Sequence, residues 1–137
     1  MMQKDNRTIA FVCTGNTCRS PMAEENGVCV RAESFGIATS TGLPVSENSV
    51  IACKEIGIDL SGKASTAVAD AGIEKYEKFY CMSQSHAKML MQFFLIQPEK
   101  IAVLGISDPY GGDIEVYRHC RDEIVNSVKE ILKAYEN

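Results

Sequence analysis

Little in this chain would divide it. Prolines occur only at positions 21, 44, 98 and 109, and no Pro/Gly/Ser tract is long enough to act as a linker. Internal repeats and low-complexity tracts are also missing. The 137 residues, 45% hydrophobic and 23% charged, therefore read as one globular domain, 1–137. Excess positive charge is absent: 14 Lys and Arg stand against 18 Asp and Glu, a formal net charge of -4. That balance lacks the field with which a polyanion-binding protein gathers its ligand, so no nucleic-acid partner is expected. Long apolar runs are lacking too. The N-terminal stretch is apolar for only about six residues, too few for a signal-peptide core or a spanning helix, which predicts a cytoplasmic protein with no membrane partner. In that compartment the six cysteines, at 13, 18, 29, 53, 81 and 120, read as reduced thiols rather than three disulfides. No CxxC pair or Cys/His cluster suggests zinc, and Cys29, Cys53, Cys81 and Cys120 read as small apolar core residues.

What is present is a strand–helix alternation. Residues 8–12, TIAFV, form a continuous apolar run of the kind a fully buried strand shows. After the segment 13–19, Ser20 and Pro21 make a helix start, because Ser can accept from free N–H groups and Pro suits the first helical position. That helix, from Met22, is broken early at Asn26 and Gly27. A second strand is expected over 32–37, then a helix capped by Ser46, running to about Ile56 and closed by Gly57. The pattern predicts one helix over 66–76, a strand over 78–82, a Met- and Phe-rich helix over 85–94 and a strand over 101–104. The methionine stripe reads as packing. A last helix over 114–135 puts Tyr117, Cys120, Ile124, Val128, Ile131 and Tyr135 on one apolar face. The expected fold is thus α/β, a single three-layer domain with a parallel sheet flanked by helices on both faces. In such a fold ligands bind beyond the carboxyl ends of the strands, where the Cys13 loop and the loop after Leu104 should both lie.

The segment Cys13-Thr14-Gly15-Asn16-Thr17-Cys18-Arg19-Ser20 leaves a buried strand and opens a helix, so its backbone N–H groups can converge on an anion. Gly15 and Asn16 accept the left-handed conformations such a tight loop needs. The lysine of a nucleotide-binding loop is missing. Facing a helix N-terminus and Arg19, the sulfur of Cys13 has surroundings that favour the thiolate, the form that attacks. Arg19 can turn back to grip two phosphoryl oxygens bidentately, and Ser20 can donate to the sulfur when it leaves. Transfer onto sulfur also needs a proton donor for the departing group, and Asp108, in Asp108-Pro109-Tyr110-Gly111-Gly112, is the leading candidate because it follows a strand. His86 and His119 fall on predicted helices and read as surface residues.

These two stretches, the first extending through Pro21-Met22-Ala23-Glu24, closely resemble the low-molecular-weight protein tyrosine phosphatase family. The resemblance implies a four-stranded parallel sheet, a phosphocysteine intermediate, Cys13 as nucleophile, Arg19 as phosphate clamp and Asp108 as general acid. It implies phosphorylated protein substrates, inorganic phosphate as product, and neither metal nor organic cofactor. It also implies that residues 14–20 bind phosphate, that Ser34 holds Asn16 in a strained conformation, and that Cys18 can form a reversible disulfide with Cys13. Thr17 stands where many tyrosine phosphatases have an aliphatic residue, which resembles the bacterial protein arginine phosphatase branch, as does the Gly111-Gly112 pair. Phosphoarginine is accordingly expected slightly ahead of phosphotyrosine, with Thr17 and Tyr110 lining the substrate pocket. One departure stands out: about ten residues fewer than expected separate the loop from the second strand, at Asn26-Gly27.

Two other readings stay open. An arsenate reductase shares this fold and a similar loop, but would need two closely spaced downstream cysteines, and Cys81 stands alone in its region, while Pro21 sits where the reductases have Gln. A non-catalytic phospho-ligand module would use the cradle only to hold phosphate, which leaves Cys13 and Asp108 without a purpose. A Cys/His hydrolase is weaker still, given where the two histidines fall.

Overall fold

The computed structural model of the chain describes residues 8–15 and 31–134. The helix expected from Met22, Cys29 and Tyr135 lie outside the described residues. So do Asn16, Thr17, Cys18, Arg19 and Ser20 of the loop.

Four strands, β1 (Thr8–Cys13), β2 (Arg31–Gly36), β3 (Lys78–Cys81) and β4 (Ile101–Val103), form one parallel sheet in the order β2-β1-β3-β4. The apolar run of β1 explains its central place: from Ile9 to Cys13 every residue is buried, as a strand covered on both faces must be. Because side chains alternate along a strand, β1 divides its residues between two cores. Ile9, Phe11 and Cys13 join Tyr80, Cys53, Cys120, Ile124 and Val128 on one face. Ala10 and Val12 join Phe35, Tyr76, Phe79, Cys81 and Leu90 on the other.

Helices cover both faces. α1 (Glu47–Lys54) and α4 (Ile114–Lys133) pack on the Phe11 side, while α2 (Val68–Ala71) and α3 (Gln84–Phe93) pack on the Val12 side. The α4 stripe is buried as its spacing requires, at Tyr117, Cys120, Ile124, Val128 and Ile131. Ile124 is fully enclosed, so truncating it leaves a cavity its neighbours cannot fill. Ile124→Ala is expected to cost about 2–5 kcal/mol, read as a lower denaturant midpoint with an unchanged secondary-structure spectrum.

The 66–76 segment is not one helix. α2 is only four residues long and ends at Gly72, whose φ of 69° turns the chain left-handed before a short 3-10 turn at Ile73–Lys75. Glycine adopts that conformation without the Cβ penalty that other residues meet, and so stops the helix. Ser46 does precede α1, yet its hydroxyl bonds to Ser49 Oγ at 2.8 Å rather than to a helix N–H. The methionine stripe is packing in part: Met82 is buried and Met91 packs on the second core, while Met89 and Phe93 of α3 face outward.

Candidate active site

Parallel strands deliver their carboxyl ends to one edge, and here that edge collects the chemistry-bearing residues. Cys13 is the last residue of β1, opposite Gly36 of β2, and only 3% exposed. Pairing continues past the strand on the β2 side: Ile37 N–H donates to the Cys13 carbonyl at 2.9 Å and Ala38 N–H to that of Thr14 at 3.0 Å. On the β3 side, Met82 N–H donates to the Val12 carbonyl at 3.0 Å. The start of the loop is thereby held from both flanks. Ser34 is buried on β2 in register with Phe11, two residues before the strand end, while Asn16, its expected partner, lies outside the described residues.

The second loop is built in the same way. Past β4, Leu104 N–H donates to the Cys81 carbonyl at 2.8 Å and Ile106 N–H to that of Met82 at 2.9 Å, carrying the chain along β3 toward the same edge. Asp108 follows, exposed to solvent. Its Oδ1 accepts the Tyr110 N–H at 3.0 Å, a side-chain turn that fixes the carboxyl against its own backbone. Pro109 is buried beneath and Tyr110 stands 81% exposed. At Gly112 any Cβ would lie 2.8 Å from Val116 Cβ, so only glycine lets the loop close onto the helix. Asp113 then caps α4, its Oδ1 accepting the Val116 N–H at 3.1 Å.

An ion cluster fixes the helix that follows. Arg118 bonds Glu55 through Nε and Nη2, the latter at 2.7 Å, and Arg121 Nη1 reaches Glu55 Oε1 and the Ala52 carbonyl, both at 2.8 Å. The Arg118 guanidinium holds the Glu55 carboxyl below the usual carboxylate range, with Arg121 adding to the effect. The end of α1 is thus tied to the first turns of α4, and so to the base of the Asp108 loop.

His86 departs from the sequence expectation, whereas His119, with a side chain 79% exposed, is on the surface as read. The reading of His86 as a surface residue is wrong, because the residue is 4% exposed. It sits in the first turn of α3, where Nδ1 lies 3.2 Å from the backbone nitrogen of Ser83 and 3.0 Å from its hydroxyl. Nε2 lies 2.9 Å from Thr14 Oγ1, across 72 residues of chain. The spacing Ser83-x-x-His86 carries the signal in outline, since a polar side chain three residues after a capping serine can reach back to it.

Cys53, Cys81 and Cys120 are buried as expected. Burial pushes the Cys81 thiol up to about 12, and its side chain belongs to the core on the opposite face of the sheet from that of Cys13. Among the described residues no group of three His, Cys, Asp or Glu could hold a metal ion, and no helix is long and apolar enough to cross a membrane.

Comparison with known proteins agrees with this geometry. A protein-arginine-phosphatase of Geobacillus stearothermophilus is 35% identical, over 91% of this chain and 93% of the relative. An arsenate reductase of Brevibacillus brevis is 30% identical, over 97% of this chain and 99% of the relative. The solved structure of a low molecular weight protein tyrosine phosphatase from T. tengcongensis superposes with a TM-score of 0.87 at 29% identity, covering 94% of this chain and 99% of that one. Residues 8–137 match the sequence model described as low molecular weight phosphotyrosine protein phosphatase. With a cysteine at the end of its central strand and an aspartate loop on the same sheet edge, the chain belongs to that family and is a protein phosphatase of its type.

Proposed function

We propose that the chain, acting as one domain over residues 1–137 in the cytoplasm, hydrolyses phosphorylated protein side chains through a phosphocysteine, with phosphoarginine preferred to phosphotyrosine. The observation that carries this reading is that Cys13 stands at the buried end of β1, on the sheet edge toward which the segment after β4, paired along β3, carries the chain to Asp108. The Cys13 thiolate attacks phosphorus, and a sulfur–phosphorus bond forms. The bond from phosphorus to the departing nitrogen or oxygen breaks, and the leaving group takes its proton from Asp108. Arg19 and the backbone N–H groups of residues 14–20 hold the equatorial oxygens. Water then gives a proton to the Asp108 carboxylate as it attacks, inorganic phosphate departs, and Ser20 steadies the returning thiolate. No cofactor takes part. Cys18 acts as the redox partner of Cys13, and Ser34 supports Asn16.

The substrate preference rests on Thr17 and on the 35% identity to a protein-arginine-phosphatase. Thr17 and Tyr110 line the pocket, Thr17 orienting the planar phosphoguanidinium. The test is kcat/KM on a phosphoarginine peptide and a phosphotyrosine peptide, assayed side by side with reduced protein. A clear phosphoarginine preference is expected. A phosphotyrosine preference would remove that substrate class and leave the cysteine chemistry standing.

The arsenate reductase relative gives a second reading its support. Such a reductase must pass a disulfide from the first cysteine to nearby thiols. Cys81 packs on the opposite face of the sheet with its thiol held well above the ordinary range, a poor position for that relay.

A further inference from the structure

We propose that His86 is a positioning residue for the phosphate loop: it donates from Nε2 to Thr14 Oγ1 and so sets the Thr14 hydroxyl as one more donor to the bound phosphoryl group. The inference deepens the phosphatase reading and rests on it for the nature of the anion. A backbone N–H can only donate, and that of Ser83 is directed at His86 Nδ1. Nδ1 therefore presents its lone pair, and in the neutral ring the proton sits on Nε2. Nε2 faces Thr14 Oγ1 at 2.9 Å, so the threonine oxygen accepts there. The hydroxyl's own proton is then directed to a different acceptor, and Thr14 is an exposed residue immediately after Cys13, where the anion is to bind.

The framework explains why so distant a residue arrives there. The Met82 N–H to Val12 carbonyl bond clamps the end of β3 to the end of β1. The turn that starts α3 then leaves β3 beside the first loop residue. The capping contact with Ser83 orients the imidazole, and burial at 4% exposure keeps bulk water from competing for it.

Three substitutions separate positioning from folding. His86→Asn keeps an acceptor near the Nδ1 position and hence the contact with Ser83, but is too short to reach Thr14. His86→Gln returns an N–H near the Nε2 position. Thr14→Val removes the hydroxyl at nearly constant shape. Binding of inorganic phosphate, measured by calorimetry on the reduced full chain, is expected to weaken about tenfold in His86→Asn and in Thr14→Val. It should weaken no further in the double variant and recover in His86→Gln, with Tm near wild type throughout. Unchanged phosphate affinity in Thr14→Val, or losses that add in the double variant, would overturn the proposal. The phosphatase reading fails on a different measurement, the absence of Cys13-dependent turnover in the wild type.

Discussion

Cys13→Ser is expected to lower turnover of either phosphopeptide by about 10^4-fold or more while inorganic phosphate still binds. Oxygen for sulfur changes little in volume at a site only 3% exposed, and the pairing that frames it is backbone to backbone, from Ile37 and Ala38 on one side and through Met82 to Val12 on the other. The framing of Cys13 and Thr14 is therefore expected to survive. What is lost is the nucleophile: a serine hydroxyl attacks phosphorus far less readily than a cysteine sulfur, and no histidine is predicted to act as a base for it. His86 is within reach of the loop, but its Nε2 faces Thr14 and its Nδ1 faces Ser83. Rapid-quench kinetics with phosphate calorimetry checks both halves. Turnover within tenfold of wild type would remove Cys13 from the nucleophile role. Loss of both turnover and binding would mean that the sulfur shapes the cradle as well as attacking.

The fold was legible where one periodicity dominated. The unbroken apolar run of β1 and the three- and four-residue spacing of α4 each leave one solution, a strand buried on both faces and a helix buried along a stripe. Placing Cys13 and the Asp108 segment on one edge follows from the parallel order alone. The failures are local. Residues 66–76 keep a helical pattern of apolar positions, yet Gly72 at φ 69° cuts it into a single turn of helix and a 3-10 turn, because one left-handed residue outweighs a weak helical preference. By type and place on a helix, His86 reads as exposed, as histidine there commonly is. In the fold it is buried and meets Thr14, 72 residues away in sequence, a tertiary contact that no helical wheel contains. The same contact makes a histidine into part of the loop's support.

Asp108→Asn is expected to lower the rate of the first chemical step by about 10^2–10^4-fold on phosphoarginine and phosphotyrosine peptides. The substitution is well posed structurally. Asp108 Oδ1 accepts the Tyr110 N–H at 3.0 Å, and an asparagine oxygen accepts the same bond, so the turn survives while the proton to be donated does not. The glycine at 112 and the Asp113 cap keep their contacts with Val116, and the Glu55 cluster still ties α4 to α1. The loss should depend on the leaving group. A guanidine or a tyrosyl oxygen needs a proton as its bond to phosphorus breaks, whereas a nitrophenolate departs as a stable anion. Phosphorylation of Cys13 by a nitrophenyl phosphate should therefore stay fast in the variant and appear as a burst. The phosphocysteine should then accumulate, because the attacking water lacks the carboxylate that would take its proton. An equal slowing of the burst for good and poor leaving groups would show that Asp108 shapes the pocket without giving a proton, and the acid would have to be sought elsewhere on the same edge.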